Sequence, residues 1–309
     1  MHNERSRVKY CAELAELADA LDSGSSVRKD FRVQVPGSAL KTTSFVGQML
    51  TSLQNPLIKQ LRKLQSAKER KEQQAFLLEG THLLEEALAV DYPLLTVCCT
   101  PSWQERHLEL WAKANQQAEW VELVSPEAIA AIATTQNPDG VVATAPRLHL
   151  QQPSLTIHSL GLAVETLQDP GNLGTIIRTA AAAGAEGLWL SADSADMENP
   201  KVLRASAGQW FRLPMAVSPD LRAVVRNCQG AGMQVIATAA TAKMTYWDAD
   251  WRSPTLILLG NEGGGLSPEL AALADQEVKI PLSPGVESLN VAIAAALILY
   301  EAQRQRRNN

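Results

Sequence analysis

The sequence predicts an α/β protein in two units, a small α/β domain followed by a larger domain with a parallel sheet. Three observations predict it. Short apolar runs alternate with helical stretches along residues 50–307, the pattern of strands joined by crossover helices. Several later runs, such as Leu256-Ile257-Leu258-Leu259, are apolar at every position, which suits strands covered on both faces. The length of 309 residues fits two domains at roughly 150 residues each.

The elements follow in order. Residues 1–48 read as an N-terminal extension, expected to be flexible: helical periodicity runs from Ala12 to Leu21, but 23–30 and 36–44 are polar and turn-rich. Met49 opens a segment that itself resembles a chain start, and a peptide from 1–48 in mass spectra of the endogenous protein would exclude that start. The second unit, 49–150, begins with a helix over 56–64. A strand, a turn at Gly80-Thr81 and a helix carrying Leu83, Leu84 and Leu88 fill 75–90. A strand over 94–100, a helix over 105–117 and a strand over 119–124 come next. A helix then starts with Ser125 as cap and Pro126 at its first position, and a strand at 140–146 closes the unit. The third unit, 151–309, alternates again: strands at 160–167, 187–191, 233–238, 255–260 and 278–282, with helices at 173–184, 199–211, 221–232, 267–274 and 288–306. There are no internal repeats and no low-complexity tracts.

Lys and Arg total 28 against 33 Asp and Glu, a net charge of −5. This excludes a globally basic nucleic-acid binder but not a local basic patch. Lys59, Arg62, Lys63, Lys68, Arg70 and Lys71, against Glu69 and Glu72, form such a patch. Arg304, Arg306 and Arg307 end the last helix. Solvated helix faces would read the same. Of the four cysteines, Cys11, Cys98, Cys99 and Cys228, none makes a CxxC pair, and the histidines make no HxxxH pair; the chain is expected to be reduced and metal-free. The most apolar stretch, Leu289 to Tyr300, is far shorter than the ~20 residues of a membrane span, and the first residues lack a signal peptide's apolar core. A soluble cytoplasmic protein is the default expectation.

Three loops in the third unit carry candidate chemistry, each after a predicted strand, where open α/β sheets bind ligands. In 168–179, Pro170-Gly171 makes a turn, Asn172 can cap a helix, and Arg178 lies on it; both reach one cleft if the helix packs along it. An ordinary turn, cap and surface arginine would read alike. In 258–270, three consecutive glycines allow close approach of a ligand or another chain segment; a plain flexible loop is the alternative. The loop is not a phosphate-binding Walker loop, because the required Lys and Ser/Thr are missing. In 280–301, Ser283-Pro284-Gly285 is a tight turn, and Ser288 and Asn290 sit where the last helix begins, with Ser288 a plain cap or a site residue. That helix is apolar on nearly every side and is expected to be buried, including at a subunit interface.

In this order and spacing, DPGNLGTIIRTA, LLGNEGGGLS and IPLSPGVESLNVAIAAALILYE resemble the three signature motifs of the SpoU (TrmH-type) branch of the SPOUT RNA methyltransferases. NPKVLRASAGQWFRLP resembles the segment between the first two motifs. SLQNPLIKQLRKLQSAKERKEQQAFLLEGTHLLEEAL resembles the family's N-terminal substrate-binding domain, similar to a ribosomal-protein-like RNA-binding fold. The resemblance covers about 49–307.

It implies a C-terminal SPOUT domain whose parallel sheet carries a deep trefoil knot, an exception to the rule against threaded chains. It also implies a homodimer with the active site near the subunit interface, and S-adenosyl-L-methionine as cofactor. Residue by residue, it places cofactor contacts at Leu259, Gly260, Asn261, Gly263, Ile280, Leu282 and Leu289, with Thr238 a neighbour. Arg178 becomes the catalytic arginine, with Asn172, Glu262, Ser288 and Asn290 around it. The implied reaction is methyl transfer to a ribose 2′-OH of RNA, ribosomal RNA being favoured over transfer RNA. A guanidinium does not give up its proton in a protein, so Arg178 is expected to hold phosphate and stabilise the developing alkoxide rather than act as base. After Arg178 the chain reads TAAAAGAEG, where the family more often has an acidic or aromatic residue. Five tryptophans (103, 120, 210, 247 and 251) are candidates for base stacking or, more commonly, core. Two other readings compete. An RNA-binding relative without catalysis conflicts with the full set of motif residues, and a nicotinamide enzyme conflicts with the absence of GxGxxG after the first strand of the third unit.

Overall fold

The computed structural model describes residues 49–148, 153–154 and 160–307; the expected extension, 1–48, lies outside the described residues. The first unit is a four-stranded mixed sheet with helices on its faces. Asn55 caps α1 (Pro56–Lys63) through its side-chain oxygen, and α2 (Ala67–Gln73) ends at Gln74, which turns left-handed. β1 (Ala75–Glu79), β2 (Leu94–Cys99), β3 (Ala118–Leu123) and β4 (Val141–Pro146) stand in the order β1-β4-β2-β3. Only β2 and β3 pair in parallel. Between them lie α3 (Thr81–Ala89), α4 (Pro101–Arg106), α5 (Leu108–Gln117) and α6 (Pro126–Ile132). Ser125 caps α6 and Pro126 is its first residue, as expected. The helix expected over 105–117 is two helices. Thr100 and Pro101 start α4 a turn early, and His107 leaves helical geometry (φ −129°, ψ 48°) with its ring stacked 4.9 Å from Trp103.

The second unit is a seven-stranded sheet ordered β7-β6-β5-β10-β8-β11-β9, every pairing parallel. Its strands are β5 (Leu160–Val164), β6 (Gly187–Ser191), β7 (Met215–Ser218), β8 (Gln234–Thr238), β9 (Met244–Thr245), β10 (Thr255–Leu259) and β11 (Gln276–Lys279). The central strands β5 and β10 are buried along their whole length, in keeping with their largely apolar sequence, and β8 is buried from Val235 to Ala237. The helices are α7 (Pro170–Ala182), α8 (Pro200–Ala205), α9 (Leu221–Gly230), α10 (Pro268–Ala271) and α11 (Val291–Arg307). The helix expected over 199–211 breaks because Ala207 and Gly208 both take positive φ (47° and 79°), leaving a 3₁₀ turn at Gln209–Phe211. A Cβ on Gly208 would sit 2.3 Å from Glu86 Cγ, so the break also lets the two units close on each other. Strands β7 and β9 escape the sequence reading. β11 ends three residues before expected, which releases 280–282 as extended chain. Helix α11 is buried along one face only, leaving Ile293, Leu297 and Tyr300 exposed.

The two units are joined by a polar and aromatic seam. Trp210 packs against Phe76 (5.1 Å) and Tyr92 (6.0 Å), and Phe211 against Tyr92 (5.2 Å). Around them four ion pairs cross the seam: Arg70–Asp196, Arg147–Glu198, Arg204–Glu79 and Arg212–Glu86. Arg70 is 1% exposed; it also donates to the carbonyls of Leu64 and Gln65, both at 2.9 Å. Of the six cations of the expected basic patch, Arg70 is therefore a structural residue, while Lys59, Arg62, Lys63, Lys68 and Lys71 are exposed. Replacing Arg70 by alanine leaves Asp196 and two carbonyls without their donor. A loss of roughly 3–5 kcal/mol is expected, measurable as a fall in Tm. Trp103, Trp210 and Trp251 belong to the core, and Trp120 and Trp247 are exposed. Cys98, Cys99 and Cys228 are free and buried. Burial pushes the Cys228 thiol up to about 11 and Cys99 up to about 12, so none is a ready nucleophile.

Candidate active site

The loops after β5, β10 and β11 emerge at one end of the sheet because these strands run parallel. Between the second and third lies a cavity of ≈ 180 Å³. Thr238 at the end of β8, Leu259, Gly260 and Asn261 after β10, Ile280 and Leu282 after β11, and Leu289 before α11 all line it. Glu262 and Ser288 line it as well. Gly263, Asn172, Arg178 and Asn290 are not part of the lining. Sequence reasoning missed Val291 and Ile298, which add the apolar wall contributed by α11; their periodicity marked them only as helix core.

The glycine-rich loop has a definite shape. Asn261 and Gly265 exchange main-chain hydrogen bonds, each 3.0 Å, and Gly265 takes φ +68°. A Cβ on Gly260 would lie 2.1 Å from Gly265 C, so no larger residue fits that closure. Asn261 holds the loop from within. Its Oδ1 accepts from Gly263 N (2.8 Å) and Gly264 N (3.1 Å), and its Nδ2 donates to the Thr166 carbonyl (2.7 Å). The loop's far end is clamped by Glu165, whose carboxylate accepts from Ser267 N and Oγ, both at 2.7 Å.

Asn172 joins the three loops. The cap of α7 is Asp169, not Asn172: its side chain accepts from Asn172 N at 2.8 Å, with Pro170 first in the helix. This frees the Asn172 carboxamide. Its Nδ2 donates to Glu262 Oε1 (3.0 Å), and its Oδ1 accepts from Asn290 Nδ2 (2.9 Å). Asn290 Oδ1 in turn caps α11 at Ala292 N and Ile293 N, so Asn290, not Ser288, fills the cap role. The helix-terminal amide of Asn172 and the Lys201 ammonium, 3.0 Å away, hold the Asp169 carboxyl below the usual carboxylate range. Lys201, 32 residues distant, had no signal in the sequence. Replacing Asn172 by alanine uncouples Glu262 from Asn290. Turnover is expected to fall at least about tenfold with the fold retained, checked by single-turnover rates and circular dichroism.

Arg178 lies just over two turns along α7, exposed, and no hydrogen bond or ion pair holds it among the described residues. The chain thus brings Asn172, Glu262 and Asn290 together and leaves Arg178 apart from its own cavity. The alanine run after Arg178 has a packing use. α7 lies against α11 there, with Ala180 buried and the Ala182 carbonyl accepting from Gln303 Nε2.

The donor set of the cavity fits S-adenosylmethionine. Apolar walls flank it, and the main chains of Gly260, Ile280 and Leu282 have no hydrogen-bond partner among the described residues. A nucleoside needs that combination of apolar walls and free backbone donors and acceptors.

The SpoU rRNA Methylase family profile matches residues 159–300, and an MRM3-like substrate binding domain matches residues 55–143. An uncharacterized tRNA/rRNA methyltransferase of Synechocystis is 48% identical over 83% of this chain and 94% of its own. The 23S rRNA (guanosine(2553)-2'-O)-methyltransferase RlmP of Bacillus subtilis is 33% identical over 82% of this chain and 98% of its own. The AdoMet-bound rRNA methyltransferase of Sinorhizobium meliloti superposes with a TM-score of 0.74 at 34% identity, over 83% of this chain and 97% of that one. The chain belongs to the SpoU rRNA methylase family. The expectation of an S-adenosylmethionine-dependent RNA methyltransferase with a leading substrate-binding domain is borne out at that level.

Proposed function

We propose that the protein methylates a ribose 2′-OH of ribosomal RNA. The observation that carries this reading is the convergence of three motif loops on one cavity, bridged by Asn172 between Glu262 and Asn290. Bound in the cavity, S-adenosylmethionine supplies a methyl group already activated by its sulfonium. The protein's task is to aim the 2′-OH and ease loss of its proton. Asn172, Glu262 and Asn290 fix the geometry of the cavity mouth, with Ser288 on its wall. Arg178 grips the RNA phosphate and stabilises the developing alkoxide, while phosphate or water takes the proton.

Because Arg178 stands apart from its own cavity, we assign it to the cavity of a second subunit. The exposed stripe Ile293, Leu297 and Tyr300 on α11 suits the core of a homodimer contact. We place the trefoil knot in the loops that close the cavity, and the enzyme in the cytoplasm with its RNA. No helix among the described residues is long and apolar enough to cross a membrane.

Ribosomal RNA is favoured over transfer RNA because RlmP, named for 23S rRNA, aligns through both units. Mapping 2′-O-methyl marks in total RNA with and without the protein tests the reading. One ribosomal RNA mark should disappear; loss from transfer RNA alone, or no loss, overturns it. The exposed cations Lys59, Arg62, Lys63, Lys68 and Lys71 serve as phosphate contacts. Removing Arg62 and Lys63 is expected to lower the slope of log affinity against log salt by about 0.7–0.9 per residue, read by filter binding across a salt series.

A further inference from the structure

A second cleft, ≈ 300 Å³, lies where the two units meet. It is walled by the turn from β1 into α3, by the loop preceding β4 and by Arg204 of α8. Gly80 makes that turn at φ +99° and offers no side chain to cap α3. Asp139 takes up only the first amide, accepting from Thr81 N (2.8 Å) and Thr81 Oγ1 (2.7 Å). Arg204 spends Nη1 alone, on Glu79 Oε2 (2.5 Å) and Thr134 Oγ1 (2.8 Å). Its Nε and Nη2 make no hydrogen bond among the described residues. Asn137 and Thr135 line the cleft with side chains equally unengaged.

The charges of this cleft do not favour an anion: Glu79 is matched by Arg204, and the Asp139 carboxylate leaves the lining one negative charge in excess. Such a lining is poorly suited to phosphate. It offers instead planar donors and acceptors, the groups that read the edge of a base. At this volume it lies near the small end of ligand clefts, with room for one base and not for a duplex.

Its position ties it to the catalytic loops. α8 carries Arg204 into the cleft and, three residues earlier, Lys201 to Asp169 of the α7 turn. Three residues are about 4.5 Å of helix rise. α8 is pressed against α7 where a Cβ on Gly174 would meet Ala205 Cβ at 2.5 Å. One chain of RNA can therefore touch both places.

We propose that this cleft holds one unpaired base of the substrate RNA, read on its edge by Arg204 and Asn137, and so helps choose which nucleotide reaches the catalytic loops. The inference rests on the proposed RNA methylation. Two variants test it: Asn137→Trp, which fills the cleft, and the double variant His82→Ala/Asn137→Ala, which strips its exposed rim. The substrate is ribosomal RNA from cells lacking the protein. Both variants should bind S-adenosylhomocysteine as the unaltered protein does and keep its kcat, while KM for RNA rises roughly tenfold or more. RNA substituted with 4-thiouridine should cross-link to peptides spanning 79–83 or 134–139. No methyl transfer by the unaltered protein overturns the reading of function itself. Transfer with unchanged KM in both variants and no such cross-link overturns the cleft alone. A KM raised on ribosomal particles but not on naked RNA assigns the cleft to a protein and overturns the base-binding proposal.

Discussion

Replacing Arg178 by lysine is expected to leave S-adenosylhomocysteine binding intact and to slow methyl transfer by roughly 10²–10³-fold, the cost of one lost donor to a developing oxyanion. The first half follows from position: Arg178 is exposed on α7 and lines no wall of its own cavity. The second follows from chemistry. Lysine keeps the charge but loses the planar fork that can hold a phosphate oxygen and the alkoxide together. Calorimetry with S-adenosylhomocysteine and single-turnover tritium transfer separate the two effects. A mixing experiment locates the residue. Arg178→Ala subunits combined with subunits that cannot bind cofactor should recover activity if the arginine serves its partner's cavity. Comparable turnover in Arg178→Lys would remove the arginine from the mechanism.

Gly260→Ala is expected to abolish measurable cofactor binding, whereas Gly264→Ala should bind as the unaltered protein does. The contrast is geometric. A methyl on Gly260 would land 2.1 Å from Gly265 C and 2.2 Å from Leu266 N, backbone atoms held by the Asn261–Gly265 closure. The loop can accept it only by opening, at a cost of about 1–3 kcal/mol for overpacking, and the opened loop no longer walls the cavity. A methyl on Gly264 meets nothing within 4 Å. Titration with S-adenosylhomocysteine, with Tm recorded for both variants, distinguishes a lost site from a lost fold.

These residues differ in how far the sequence exposed them. The glycine-rich loop was legible as a place of close approach, but the partner of that approach is the loop's own backbone, and the glycine that must stay small is the first one after β10. The start of α7 was misplaced by three residues. Asp169 before Pro170 is the stronger helix-start pair, and moving the cap there is what gives Asn172 a free carboxamide. Local turn chemistry thus located the motif loops and the cap of α6. It could not reach Arg70, whose neighbours in sequence are exposed cations and whose partner Asp196 lies 126 residues on. Nor did the apolar pattern reveal the breaks at His107 and Ala207, because backbone direction there answers to ring stacking and to the other domain.

The seam between the units has a consequence for how the enzyme meets its substrate. Four arginine–carboxylate pairs and a cluster of interlocked rings leave little freedom for one half to swing against the other. The protein therefore works as a fixed gauge, with the spacing between grip and reaction centre cast into the molecule. Adaptation falls to the RNA, which must itself bend or unpair until its target nucleotide matches that span.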